Sequence, residues 1–143
     1  MRIVDLNLLI YAVNADAPNH DRARAWLEAA VNGYELVGLA WAVILGFLRI
    51  TTNGRIMPRP LTADQAVKVV DRWLDHPNIA VVTPGERHWE VLKKIAGPLG
   101  LAGNLTSDTH LAALAIENGA TLCSVDSDFG RFASLNWINP LDG

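Results

Sequence analysis

Short apolar runs with the character of strands alternate along this chain with segments whose apolar residues recur at helical spacing. That alternation limits the fold more than any other feature of the sequence. A strand is expected at about residues 2 to 5, then a short helix over Leu6 to Val13, ended by "NADAPNH". A second helix runs from about His20 to Val31, with Ala23, Trp26, Leu27 and Ala30 at helical spacing and Gly33 as its stop. "YELVGLA" reads as a strand. "WAVILGFLRIT" is apolar nearly throughout, and its length and the spacing of Leu45, Leu48 and Arg49 favour a buried helix over a strand. After the loop "GRIMPRP", Thr62 caps the helix "TADQAVKVVDRWLDH", with Ala66, Val69, Val70 and Trp73 in one stripe. "NIAVVTP" is then a strand, "GERHWEVLKKIAG" a helix, "PLGLAGN" a loop, "LTSDTHLAALAIENG" a helix, "TLCSV" a strand and "NWINP" a short final strand. Strands joined through helices imply an α/β sandwich around a mostly parallel sheet. At 143 residues, half of them hydrophobic, the chain can form one core and is expected to be a single domain over residues 1–143.

In open sheets of this kind, polar sites gather beyond the carboxyl ends of the strands. Asp5 stands there, at the end of the first strand and inside an apolar run, "IVDLNLLIYAV", where an unpartnered carboxylate is costly. Asp126 ends the strand "TLCSV" and Asp128 follows two residues later. Asp108 lies in the first turn of its helix, with Leu111, Ala112 and Ala115 at i+3, i+4 and i+7, so its carboxylate shares the inward face. Each of the last three also has an ordinary role open to it: a helix-start acid for Asp108, a turn former for Asp126 or Asp128. Together in one cleft, however, these carboxylates would repel unless a cation neutralises them. With no cysteine or paired histidine nearby, hard oxygen ligands favour Mg²⁺ or Mn²⁺ over zinc. Such an ion can activate water and offset charge on a phosphodiester. Asn7 either orients Asp5 or caps the helix that follows.

The formal net charge of −3 argues at first against a nucleic-acid partner. Set the four cleft aspartates aside, and eleven acids remain against twelve Lys and Arg. No acid occurs between Leu36 and Ala63, where Arg49, Arg55 and Arg59 fall with Thr51, Thr52 and Asn53; this window is either a solvated loop or a contact for RNA phosphates. Cys123 is the only cysteine and is expected in the core, which excludes an intrachain disulfide and suits a reducing compartment. No run is long and apolar enough to span a membrane, so a cytoplasmic protein is expected. His20, His76, His88 and His110 lack metal-ligand spacing and are assigned to the surface or to packing. The five tryptophans are assigned to core packing rather than base stacking.

Three blocks, "IVDLNLLIYAVNADAPNH", "WAVILGFLRITTN" and "GNLTSDTHLAALAIENGATLCSVDSDFGRFASLNWINP", resemble in order and spacing the PIN-domain ribonucleases, specifically the VapC toxins of bacterial toxin–antitoxin pairs. The resemblance implies a PIN-like three-layer α/β/α sandwich and a Mg²⁺- or Mn²⁺-dependent endoribonuclease acting on structured RNA such as tRNA or ribosomal RNA. On that likeness Asp5, Asp108 and Asp126 match acidic motifs of the catalytic metal site, and Asp128 is the following acid. Arg49 and Asn7 are candidates for touching RNA. It further implies a homodimer held inactive by a VapB-like antitoxin.

The chain departs from that pattern twice. Where such proteins usually carry Glu in an "EFLR"-like stretch, this one has Gly46 in "GFLR", and Leu6 replaces the threonine common after the first aspartate. Gly46 keeps open a second reading, a PIN-like module that binds RNA or a partner without cutting. An aspartyl phosphotransfer domain would also place acids at strand ends, but the chain has no D-x-D-x-T/V signature after its first strand.

Overall fold

In a computed structural model of the protein, residues 1–97 and 105–142 are described, so the expected loop "PLGLAGN" lies outside the described residues. Five strands, β1 (Arg2–Val4), β2 (Val37–Ala40), β3 (Ile79–Val82), β4 (Thr121–Cys123) and β5 (Asn136–Ile138), form one sheet in the order β3-β2-β1-β4-β5. Every pairing is parallel: Ile3 lies opposite Gly38 on one side and Leu122 on the other. Parallel neighbours need crossover connections, and these are supplied by α1 (Leu6–Val13) and α2 (His20–Val31), α3 (Trp41–Thr51) and α4 (Ala63–Asp75), and α5 (His88–Ala96) and α6 (Leu105–Glu117). The chain steps outward from β1 to β2 to β3, then returns past β1 to β4. Right-handed crossovers therefore place α1–α4 on one face and α5 and α6 on the other. Helix packing agrees, with α1 against α2 and α3, and α5 against α6. This is the three-layer α/β/α sandwich.

The elements form where the sequence patterning puts them. Ile3, Val4 and all of β2 are buried, as strands covered on both faces require. Thr62 caps α4 in a full capping box: its side chain accepts from the Gln65 amide at 3.1 Å while the Gln65 side chain accepts from the Thr62 amide at 3.0 Å. After α6, Gly119 takes a left-handed φ of +58°, which lets the Ala120 amide donate to the Ala115 carbonyl at 2.9 Å and closes the helix. On α6, Leu111, Ala112 and Ala115 are buried as expected for the face that Asp108 shares. Cys123 is a free thiol in the core.

Several expectations need correction. The apolar segment at 41–51 is a helix, but its buried face is Val43, Ile44, Gly46, Phe47 and Thr51, while Leu45 points to solvent. Position 44 rather than 45 faces the core because α3 begins directly at the end of β2, and that junction sets the helix's rotation. Trp26, Trp73 and Trp137 pack on the core as assigned, but Trp41 and Trp89 are 49% and 62% exposed. A short 3₁₀ helix at Ser127–Arg131 was not anticipated; it buries Phe129, and it is too brief to show a period in the sequence. Among the described residues no helix is long and apolar enough to cross a membrane.

Phe47 is fully buried and meets Trp73 edge-on at 4.8 Å, joining α3 to α4. Phe47→Ala should destabilise the protein by about 3–5 kcal/mol, and Thr62→Ala by about 1 kcal/mol, as read from urea unfolding; equal midpoints for the two variants would contradict this ranking.

Candidate active site

The direction of chain crossing reverses between β1 and β4. From β1 the chain leaves over one face, and into β4 it arrives from the other, so the two connections diverge and leave a crevice beyond the carboxyl ends of these adjacent strands. Asp5 follows β1 directly, and Ser124, Val125 and Asp126 follow β4. Because α6 runs back against β4, its first turn, which carries Asp108, lies at the same edge.

Asp5 is fixed from several directions. Its amide continues the ladder to the Cys123 carbonyl at 2.9 Å. One carboxylate oxygen accepts from the Leu6 amide at 2.7 Å, making Asp5 the N-cap of α1. The other accepts from Ser124 Oγ at 2.7 Å and from Asn7 Nδ2 at 3.3 Å. Ser124 is fully buried and uses its hydroxyl completely: it donates to Asp5 and accepts from Asn7 Nδ2 at 3.1 Å and the Asp126 amide at 3.0 Å. Asp126 in turn caps the 3₁₀ helix by accepting from the Asp128 amide at 2.9 Å. Asp128 is exposed and pairs with Arg131 at 3.1 Å.

The charges are coupled. Burial pushes the Asp5 carboxyl above its ordinary 3.8; hydrogen bonds from Ser124 and Leu6 oppose that rise, and the Asp126 charge adds to it. Asp108 is pushed up to about 6, first by desolvation and then by the charges of Asp126, Asp5 and Asp128, with Arg131 opposing. Four carboxylates therefore feel one another at one edge of the sheet. Among the described residues no three His, Cys, Asp or Glu side chains are grouped so that, as placed, they could hold a metal ion. What the crevice offers is hard oxygen and unbalanced negative charge, a donor set that fits a divalent ion which keeps part of its water shell.

Asp5, Asn7, Asp108, Asp126 and Asp128 are thus gathered at one place. Asn7 was a candidate for RNA contact, but its amide is spent on Asp5 and Ser124, and its oxygen faces the Val125 amide at 3.5 Å. Arg49 is not drawn into the cluster. It is exposed in the last turn of α3 and makes no ion pair with the four aspartates among the described residues. The rest of the acid-free window is largely used internally: Thr51 and Thr52 bond back to the Phe47 and Leu48 carbonyls at 2.7 Å each, and Arg59 pairs with Asp16. The residue that the sequence reading missed is Ser124, whose signal was a hydroxyl at the end of an otherwise apolar strand. The histidines are more engaged than assigned: His88 bridges Glu117 (2.5 Å) and His110 (2.9 Å), which ties α5 to α6.

The PIN domain family matches residues 2–135 of the chain. Ribonuclease VapC33 of Mycobacterium tuberculosis is 44% identical over 141 residues, covering 99% of both chains. In fold, the protein is similar to a chain of VapBC2 from Rickettsia felis bound to a DNA fragment from their promoter, with a TM-score of 0.70 at 18% identity over 96% of this chain and 97% of that one. It is also similar to Mycobacterium tuberculosis VapC20, described as a Sarcin-Ricin loop cleaving toxin, with a TM-score of 0.65 at 15% identity over 95% of this chain and 99% of that one. With a full-length relative at this identity and the family matched over nearly all its residues, the chain belongs to the PIN-domain family, in the branch of the VapC ribonucleases.

Proposed function

We propose that the protein is the toxin of a type II toxin–antitoxin pair, a single PIN domain over residues 1–143 that cuts structured RNA, tRNA or ribosomal RNA, with a divalent metal ion. The observation that carries this reading is the mutual electrostatic coupling of Asp5, Asp108, Asp126 and Asp128 at the crevice between β1 and β4. Asp5, Asp108 and Asp126 hold the ion, Mg²⁺ with Mn²⁺ as a substitute, and Asp128 adds charge from the rim. When bound, the ion supplies Lewis acidity: it lowers the pKa of a water and offsets charge on the phosphodiester. The protein's own residues do the rest. Ser124 and Asn7 hold the Asp5 carboxylate in one orientation, Asp126 is fixed by the turn it caps, and Arg49 on α3 is the exposed cation offered to the RNA backbone. The VapC20 likeness favours a structured ribosomal target over an unstructured one. A VapB-like antitoxin, a homodimer and a cytoplasmic location complete the proposal, all carried by family membership.

One observation favours a second reading. α3 contributes no carboxylate, having Gly46 where a fourth ligand would stand, so a module that binds RNA without cutting it is the alternative. Cleavage of total RNA separates the two. The purified protein should cut with Mg²⁺ and not with EDTA, and Asp5→Asn or Asp108→Asn should lose the activity while melting no lower than the parent. Cutting at the parental rate by either variant would remove the assignment.

The pH dependence has a fixed sign. Metal binding requires Asp108 ionised, so Mn²⁺ affinity should fall about tenfold per pH unit below the Asp108 pKa of about 6. In the metal-free protein the folded state keeps the Asp108 proton that the unfolded chain sheds near 3.8, so the contribution of this group to stability is largest below that value and is lost as pH rises through about 6. Calorimetric Mn²⁺ titrations at several pH values test the first statement; affinity unchanged between pH 5 and 7 (roughly one unit either side of that pKa) would contradict it. Ser124→Ala should weaken Mn²⁺ binding by about 10–100-fold, because it frees the Asp5 carboxylate from its buried partner.

A further inference from the structure

The 3₁₀ helix Ser127–Arg131 follows Asp126 directly, so it rims the crevice on the β4 side, across from α3. Buried rings hold it in place. Phe129 and Phe132 are 1% and 5% exposed with their rings 6.3 Å apart, and Trp137 packs beside Gly130, where an added Cβ would stand 3.5 Å from the indole. At its start, Asp126 accepts from the Asp128 amide at 2.9 Å. On this anchored turn the Arg131 side chain stays one-third exposed, with one Nη 3.1 Å from Asp128 Oδ1. Among the described residues this is its one ion pair, which leaves most of the five N–H donors of the guanidinium without a protein acceptor. Asp128 is itself 58% exposed, and an ion pair so open to water is weak. The charge of Arg131 also reaches Asp108 on α6, where it opposes the effect of the other acids. Arg131 therefore stands within the field of the crevice, yet is held there only loosely.

Resting on the reading of the crevice as the place where RNA is cut, we infer that Arg131 is a catalytic residue: its guanidinium exchanges Asp128 for the phosphodiester being cut and donates to the non-bridging oxygens. A planar guanidinium offers paired donors that match two phosphate oxygens, and the partner it gives up is a solvated one. In the reaction, water adds to phosphorus while one ester oxygen departs with the proton that the water loses. Negative charge rises on the non-bridging oxygens in between, so a donor fixed beside them by a rigid turn stabilises the transition state more than the bound RNA. Asp128 then has a role apart from charge at the rim: it keeps Arg131 poised and out of the cluster of carboxylates until RNA arrives. Arg49, on the other flank, makes no contact with these acids and is left to phosphates further along the strand.

The probes are total RNA for cleavage, Mn²⁺ for the acids and a labelled RNA hairpin for binding, all with the purified full chain. Arg131→Gln should cut total RNA about 100-fold more slowly than the parent, and Arg131→Lys, which keeps the charge without the fork, should fall between them. Mn²⁺ affinity of Arg131→Gln, measured by calorimetry well above the Asp108 pKa of about 6, should be no weaker than the parent's, because a positive neighbour has been removed. Parental cutting by Arg131→Gln alongside an inactive Asp5→Asn would overturn the inference and leave the crevice reading intact. Lost Mn²⁺ binding or a lowered melting temperature in Arg131→Gln would also overturn it, by showing that the arginine acts through the fold of the turn. Parental cutting by Asp5→Asn would remove the crevice reading, and the inference with it. Binding of the hairpin supplies a test that needs no cutting: in the Asp5→Asn background, Arg131→Gln should reduce the slope of log affinity against log salt by about one. Equal slopes would exclude the phosphate contact.

Discussion

The hydrogen bond from the fully buried Ser124 hydroxyl to the half-buried Asp5 carboxylate, 2.7 Å long and set between the ends of β1 and β4, is the contact on which the site depends. It joins residues 119 positions apart in sequence, and it exists only because those two strands are parallel neighbours in register, with Val4 opposite Cys123. A carboxylate at the end of a buried strand is expensive to keep charged. Ser124, the Leu6 amide and Asn7 share that expense by giving it three donors. The same bonds that make Asp5 tolerable also hold it rigid, and rigidity is what its proposed role as a metal ligand requires.

The other acids answer to a different constraint. Asp108 reaches the crevice on a helix from the opposite face of the sheet, so its position depends on how α6 packs rather than on the strand ladder. α6 is anchored by its buried stripe of Leu111, Ala112 and Ala115 and by the Glu117–His88–His110 chain that clamps it to α5. Asp108 is thereby brought into the field of three other carboxylates, whose charges raise its pKa. On the function proposed above, stability and cation binding are coupled, because the carboxylates that repel one another are the ones assigned to the ion.

The sequence made the skeleton legible because hydrophobic period and turn chemistry are local. Thr62 before "ADQAVKVV" and Gly119 after α6 mark helix ends without reference to anything distant. Asp5, Asp108, Asp126 and Asp128 could be singled out for a related reason: a charge in an apolar run, or at a strand end, is anomalous in its own window. What stayed hidden depends on partners far along the chain. Asn7 could equally have oriented Asp5 or capped α1, and only the position of Ser124 decides for orientation. Leu45 and Trp41 looked like core residues, yet the rotation of α3 about its axis, fixed by its junction with β2, turns them outward. Four histidines without metal spacing gave no sign that two of them meet edge to face between helices.

By itself, then, the sequence determined the order of strands and helices, the parallel class of the sheet and the identity of the acids, since each follows from local patterning or from a charge out of place. Tertiary structure alone decided that those acids share one electrostatic field and that Ser124 is the donor which holds the first of them. Those facts are distances between residues far apart in the chain, and a distance of that kind is set by how the layers pack rather than by any window of residues.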